Sequence, residues 1–189
     1  MNKKQLFLFA GIVAISAIAL VSPSRADDGK LTDADAEFIN KVSEKSHIEI
    51  ELSKLAVQKA TNDEVKGFAK NIGDDHEKAL VDLQTIKAKK SSDESSTREE
   101  QQELNENVKS HVDKFRELSG EEFDREYVQT MVEHHEESIE NFDKCVKETK
   151  DTEIRKFAEK MLPTLKEHLQ HAQRLQKQLK DMSEGADNK

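Results

Sequence analysis

Two segments of the chain carry the same pattern: residues 64–70 read EVKGFAK and residues 153–159 read EIRKFAE. A shift of 89 residues superposes them, with the glutamate, the phenylalanine and the alanine identical. Each segment opens an apolar stripe with the three- and four-residue spacing of an amphipathic helix. An internal repeat with a spacing of 89 residues predicts two copies of one helical hairpin.

The stripes around the repeat predict four long helices. Thr32 caps the first, a polar break at residues 61–63 separates it from the second, and Thr152 caps the fourth. Between the copies, residues 98–118 form a highly charged segment that would run the length of a bundle as a helix. We therefore predict an all-α, ferritin-like four-helix bundle of two repeated hairpins, with an additional crossover helix between them. The predicted domain covers residues 27–182, and a disordered polar tail follows at residues 183–189.

The N-terminal segment, residues 1–26, has the pattern of a signal peptide. Lys3 and Lys4 precede an apolar run over residues 6–21, and Ser24 and Ala26 place small residues where a signal peptidase reads the chain. We expect cleavage after Ala26 and export to the periplasm or cell envelope, with no integral membrane span remaining. A retained membrane anchor is the alternative, but the apolar run is short for a span.

Charge and cysteine content restrict the partners. The segment 1–26 holds three of the 30 basic side chains and none of the 39 acidic ones, so the segment 27–189 carries a net charge of −12. This charge argues against nucleic acid or anionic lipid as a partner. Cys145 is the one cysteine of the chain, so it is either a buried small hydrophobe or half of an intermolecular bridge.

One ionisable side chain interrupts the apolar stripe of each long helix: Glu49, His76, His135 and His168. Glu49 precedes the centre of the first turn by nearly the same stretch of chain as His76 follows it. His135 and His168 flank the centre of the second turn in the same nearly symmetric way. All four are therefore expected at mid-bundle, where three imidazoles and a carboxylate suit a zinc, copper, iron or manganese ion.

Four further ionisable residues adjoin these positions, namely Asp75, His134, Glu136 and His171. They are expected to join the site or to orient its ligands. The alternative for all these residues is structural, because a histidine inside a core often only satisfies a hydrogen bond and fixes the packing without any ion.

Several catalytic patterns do not occur in the sequence. The Glu-x-x-His pairs of di-iron carboxylate bundles are missing, since Gly73, Val132 and Leu165 stand three residues before the seam histidines. The chain has no nucleophile elbow, phosphate-binding glycine loop or Cys-x-x-Cys pair. Enzymatic activity is therefore not predicted, and catalysis at an open metal position is left open.

A set of motifs extends the pattern over nearly the whole chain: EIELSKLA (49–56), VKGFA (65–69), DDHEKA (74–79), GEEFDREY (120–127), MVEHHE (131–136) and LPTLKEH (162–168). Together they resemble an exported bacterial family of ferritin-like proteins of unknown function, whose members are often labelled outer membrane proteins. The resemblance spans residues 33–179 and implies a ferritin-like bundle and an envelope location. The family's Asp-His-Glu motif falls on residues 75–77, and its partner falls on residues 134–136, where His134 replaces the usual aspartate. The resemblance implies no particular activity.

Two functions remain open at the level of sequence. The first is an exported bundle that binds a transition metal through Glu49, His76, His135 and His168 and serves metal handling or protection against oxidative stress. The second is a metal-free envelope stress or protein-interaction module, whose acidic helical surface contacts an envelope protein.

Overall fold

The computed structural model describes residues 31–90 and 98–187, nearly all of them helical. The described residues form no strand, and their five helices are α1 (Asp33–Lys59), α2 (Asp63–Lys90), α3 (Arg98–Arg116), α4 (Gly120–Glu148) and α5 (Thr152–Asp187). The predicted all-helical class is confirmed. The predicted signal peptide lies outside the described residues. At the other end α5 extends through Asp187, so residues 183–187, assigned to the tail by sequence, are helical.

Local hydrogen bonds explain where the first helix begins. The Thr32 hydroxyl accepts from the Asp35 backbone N–H at 3.2 Å, and the Asp35 carboxylate accepts from the Thr32 backbone N–H, which completes a capping box. The predicted cap is therefore present. α4 begins at Gly120, whose φ of 60° lies in the left-handed region that glycine adopts without strain.

The helix boundaries at the two hairpin turns follow the repeat found in the sequence. A shift of 89 residues carries Lys59, the last residue of α1, onto Glu148, the last residue of α4. It also carries Asn62 onto Asp151, and each of these side chains accepts two backbone N–H groups of the following helix. The cap of α5 is thus Asp151, one residue before the predicted Thr152, because its carboxylate reaches both orphan donors of the first turn.

Packing follows the hairpins. α1 packs along α2, α4 packs along α5, and the two hairpins meet through the pairs α1–α4 and α2–α5. α3 connects them and lies against α1, burying Val112 and Phe115 on its apolar side. Elsewhere α3 is largely exposed, as the narrow apolar stripe in its sequence indicates.

Each hairpin turn is held by an aspartate of the other hairpin. Asp124 of α4 accepts the backbone N–H groups of Thr61 and Asn62 at 3.0 and 2.9 Å. At the opposite end of the bundle, Asp35 of α1 accepts the Thr149 hydroxyl at 2.6 Å. The shift of 89 residues superposes Asp35 on Asp124, so equivalent aspartates hold the two turns, although they accept different groups there.

Buried apolar residues form two clusters along the bundle. The upper cluster surrounds Phe123 and Tyr127, and the lower cluster contains Phe38, Phe142 and Cys145. Burial raises the pKa of the Cys145 thiol to about 12, so it behaves as a small apolar core residue. Polar side chains lie between the two clusters and form the site described next.

Candidate metal centre

The structure brings the four predicted seam residues together between the upper and lower clusters. The exposed fractions are 1% for Glu49, 5% for His76, 0% for His135 and 7% for His168. One ring nitrogen from each histidine lies within 4.8 Å of the other two. Each of α1, α2, α4 and α5 contributes one of these side chains. The four lie at one level because Glu49 and His76 are nearly equidistant from the first turn, as His135 and His168 are from the second.

Glu49 is a buried carboxylate surrounded by imidazoles. Its Oε2 atom lies 2.8 Å from His76 Nε2 and 3.9 Å from His135 Nε2, and its Oε1 atom lies 3.2 Å from His134 Nδ1. Neither carboxylate oxygen has an aligned hydrogen-bond partner, and the same holds for His76 Nε2 and His134 Nδ1. A buried carboxylate in this state requires a cation, either a protonated imidazole or a metal ion.

His135 and His168 face each other through nitrogens that carry no proton in the neutral rings. His135 Nδ1 lies 2.8 Å from the Met131 carbonyl, which only accepts, so Nδ1 carries the proton and Nε2 carries a lone pair. His168 Nε2 lies 3.3 Å from the Asp75 carboxylate, so its proton is on Nε2 and its lone pair is on Nδ1. His135 Nε2 and His168 Nδ1 are 3.2 Å apart. Two lone pairs therefore point into one small space.

The surrounding charges separate the pKa values of the four groups. Burial alone would raise the pKa of Glu49, but the imidazoles of His76 and His135 hold it well below its usual value. Burial opposes the charged form of His76, yet the adjacent Glu49 raises its pKa. Burial lowers the pKa of His135, and burial together with the neighbouring imidazoles lowers the pKa of His168 to about 4. The α4–α5 pair is therefore neutral near pH 7, as metal-binding imidazoles must be.

The residues predicted to adjoin the site take three different positions. Asp75 contacts His168, and His134 contacts Glu49, so both lie in direct contact with the centre. His171 packs against the Phe68 ring at 4.8 Å between centroids, one turn farther along α5. Glu136 is exposed.

Residues 20–175 match a family described as Domain of unknown function (DUF4142). The chain belongs to the DUF4142 family. No curated protein and no solved structure matches it. The family description assigns no chemistry, so the function of this DUF4142 protein has to be argued from the site itself.

Within residues 31–90 and 98–187 of this DUF4142 chain, none of the helices combines the length and apolar character needed to cross a membrane.

Two polar contacts beside the centre were not predicted from the sequence. The Tyr127 hydroxyl lies 3.0 Å from Ser53 Oγ in the interior, where both side chains are buried. Ser46 Oγ lies 3.2 Å from His76 Nδ1 and orients that ring. A tyrosine or serine on an otherwise apolar helix seam could have indicated such contacts in the sequence, because a buried hydroxyl needs a hydrogen-bond partner.

Proposed function

We propose that this DUF4142 protein is an exported, ferritin-like helical bundle that binds one transition-metal ion through His76, His135, His168 and Glu49. Two antiparallel hairpins joined by a long helix support the ferritin-like arrangement. The apolar run and small-residue site at the N-terminus support export to the periplasm or cell envelope.

The observation that carries the proposal is the pair of lone pairs on His135 Nε2 and His168 Nδ1, 3.2 Å apart beside a buried carboxylate. Neutral imidazoles in these tautomers have no proton to share, so the contact is repulsive without a cation. Zinc binds imidazole nitrogen at about 2.0–2.1 Å, which places the ligand atoms of a tetrahedral ion about 3.3 Å apart. Three of the separations bracket this value: 2.8 Å for Glu49–His76, 3.2 Å for His135–His168 and 3.9 Å for Glu49–His135. The nitrogens of the three histidines all lie within 4.8 Å of one another.

The donor set restricts the chemistry. Three imidazoles with one carboxylate suit zinc, iron, copper and manganese, and the imidazoles disfavour magnesium and calcium, which prefer oxygen donors. The Met131 carbonyl and Asp75 hold the outer nitrogens of His135 and His168 and fix their tautomers, as expected around a metal. We assign the ion a role in metal handling or in protection against oxidative stress.

Metal titration of the full chain tests this function. Protein stripped with a chelator is expected to bind one Co²⁺ or Zn²⁺ ion per chain, with a cobalt absorption spectrum of nitrogen and oxygen ligands. A variant carrying His76→Ala and His135→Ala should lose this binding by a factor of at least about 100. A control carrying His47→Ala and His111→Ala removes two histidines outside the centre and should bind like the parent protein.

Thermal unfolding separates this proposal from a metal-free interaction module. A metal-coupled bundle should melt at a higher temperature with the ion than with a chelator, because binding to the folded state adds to its stability. Equal and negligible metal in the parent protein and the His76/His135 variant, with identical melting curves, would favour the metal-free function.

A further inference from the structure

A cavity of about 510 Å³ lies between α1 and α4, on the lower side of the candidate metal centre. His76 and His134 form part of its wall, so the cavity reaches the centre directly. Its size is within the range of about 300–1,000 Å³ that small-molecule sites occupy.

The internal repeat explains why there is space at this position. The shift of 89 residues pairs Glu49, His76, His135 and His168 with, in that order, Ser138, Leu165, Ser46 and Ala79. All four counterparts line the cavity. The cavity is therefore the repeat-related counterpart of the metal centre, and residues without ionisable groups replace the histidines and the glutamate there.

The walls of the cavity favour an uncharged, flat occupant. Phe38 and Phe142 line it with their rings 5.0 Å apart and inclined by 71°, an edge-to-face arrangement. The lining also holds four lysines and five carboxylates, and three of the lysines lie in ion pairs: Lys41 with Glu37, Lys45 with Glu137, and Lys144 with Glu148. An ion entering the cavity would lose its water without gaining a partner from the apolar rings.

The inner end of the cavity offers hydrogen-bonding groups. Ser46 is 1% exposed and its hydroxyl contacts His76 Nδ1. Ser138 of α4, 7% exposed, brings a second hydroxyl to the same wall. An occupant with one hydroxyl group at its end would hydrogen-bond to these side chains while its ring fills the apolar part of the cavity.

We propose that the α1–α4 cavity binds a small, uncharged aromatic alcohol of the phenol type, with its ring against Phe38 and Phe142 and its hydroxyl toward Ser46 and His76. Binding of the ring depends on the cavity alone. The placement of the hydroxyl beside a metal ion rests on the proposed function.

Calorimetric titration of the metal-free full chain with 2-naphthol and with 2-naphthoate tests the chemistry of the occupant. We expect one 2-naphthol molecule per chain, bound at least about tenfold more tightly than the carboxylate, because Lys41 and Lys45 at the rim are already paired. No saturable binding of 2-naphthol, or equal or tighter binding of 2-naphthoate, would overturn the proposal; the latter would indicate an anionic, fatty-acid-like occupant.

Two valines of α1 supply a matched pair of variants that locate the binding. Val42 lines the cavity, whereas Val57 is 44% exposed and lies outside it. Val42→Trp should weaken 2-naphthol binding by at least about tenfold by filling the space, and Val57→Trp should leave it unchanged. Ser138→Leu fills the same cavity from α4 and replaces the first variant if that variant does not fold. Normal binding by a folded cavity-filling variant would place the ligand elsewhere and contradict the proposal.

Ring signals in NMR spectra give the orientation. Saturation with 2-naphthol should shift the ring signals of His76 and His134 and leave those of His47 unchanged; the reverse result would overturn the assignment. Metal binding without 2-naphthol binding would leave the proposed function intact and reject the cavity site. Binding of 2-naphthol to a protein that binds no metal would support the cavity site and reject the proposed function.

Discussion

The hairpins α1–α2 and α4–α5 have the same frame but place different chemistry at its centre. In α1–α2 a carboxylate faces an imidazole, with Glu49 Oε2 2.8 Å from His76 Nε2. In α4–α5 two imidazoles face each other, with His135 Nε2 3.2 Å from His168 Nδ1. The Glu49–His76 pair favours the protonated imidazole, whereas the His135–His168 pair disfavours it.

This difference shows which parts of the repeat are constrained. The helix ends at the two turns, the turn caps and the aspartates that hold the turns coincide after the shift of 89 residues. The positions of the centre do not coincide: each of its ionisable residues has a serine, an alanine or a leucine as its counterpart. Both hairpins can share the same turns and caps because both turns must satisfy the same backbone N–H groups. A single site with four ligands needs different residues at equivalent positions of the two hairpins.

Removing one member of each pair should give the largest contrast. In metal-free protein, Glu49→Ala deprives His76 of its counter-charge in the interior and should lower the free energy of unfolding by about 3–5 kcal/mol. His168→Ala removes a ring from a repulsive contact and should cost only about 1–2 kcal/mol. Urea unfolding near neutral pH, with a chelator present, measures both. Equal costs would show that the two pairs are energetically alike.

The pH dependence of stability should separate the pairs next. The pKa of His168 is about 4 in the folded chain against an ordinary value of 6.5, so only the unfolded state binds this proton between these limits. Stability should therefore fall by about 3 kcal/mol as the pH drops from about 6.5 to about 4. The raised pKa of His76 acts in the other direction: its contribution is complete below the ordinary pKa and is lost as the pH rises through the folded value.

Unfolding of metal-free protein across this range checks the assignment. His168→Gln should remove most of the decrease below about pH 6.5 while keeping a polar group of similar reach. If the variant keeps the full slope, the decrease belongs to other groups, such as His135, whose pKa is also lowered by burial.

Much of this centre could be predicted from the sequence because helices convert spacing into position. The offsets of Glu49 and His76 from one turn, and of His135 and His168 from the other, were enough to expect one level. The contact of His134 with Glu49 could not be fixed, because His134 and His135 flank the same seam and the rotation of α4 decides which oxygen each reaches.

The cavity and the ring tautomers were beyond sequence reasoning for a different reason. An internal space depends on the side-chain volumes of four helices at once, and Ser46, Ala79 and Ser138 look like ordinary small seam residues when taken singly. The tautomer of His135 depends on a carbonyl of its own helix, and that of His168 depends on Asp75 of α2. The Asp75 partner of His168 is in place only when the hairpins are docked.

The turns should give the smallest contrast. Asp124 accepts two backbone N–H groups and the Thr61 hydroxyl, whereas Asp35 takes one hydroxyl from the opposite turn, that of Thr149. Asp124→Asn should therefore cost about 2 kcal/mol and Asp35→Asn about 1 kcal/mol, since hydrogen bonds to a carboxylate are worth more than neutral ones. Chemical unfolding compares the two variants. A larger cost at Asp35 would mean that its capping box, and not the turn contact, dominates.

The reciprocal aspartates also bear on how the chain opens. The amide protons of Thr61 and Asn62 are satisfied by Asp124 of the partner hairpin, so the first turn is complete only while the second hairpin is docked. Neither hairpin can separate without exposing the backbone of a turn, which couples the two into one cooperative unit. Hydrogen exchange at these two surface amides should therefore be as slow as exchange in the core, and should report separation of the hairpins instead of local fraying.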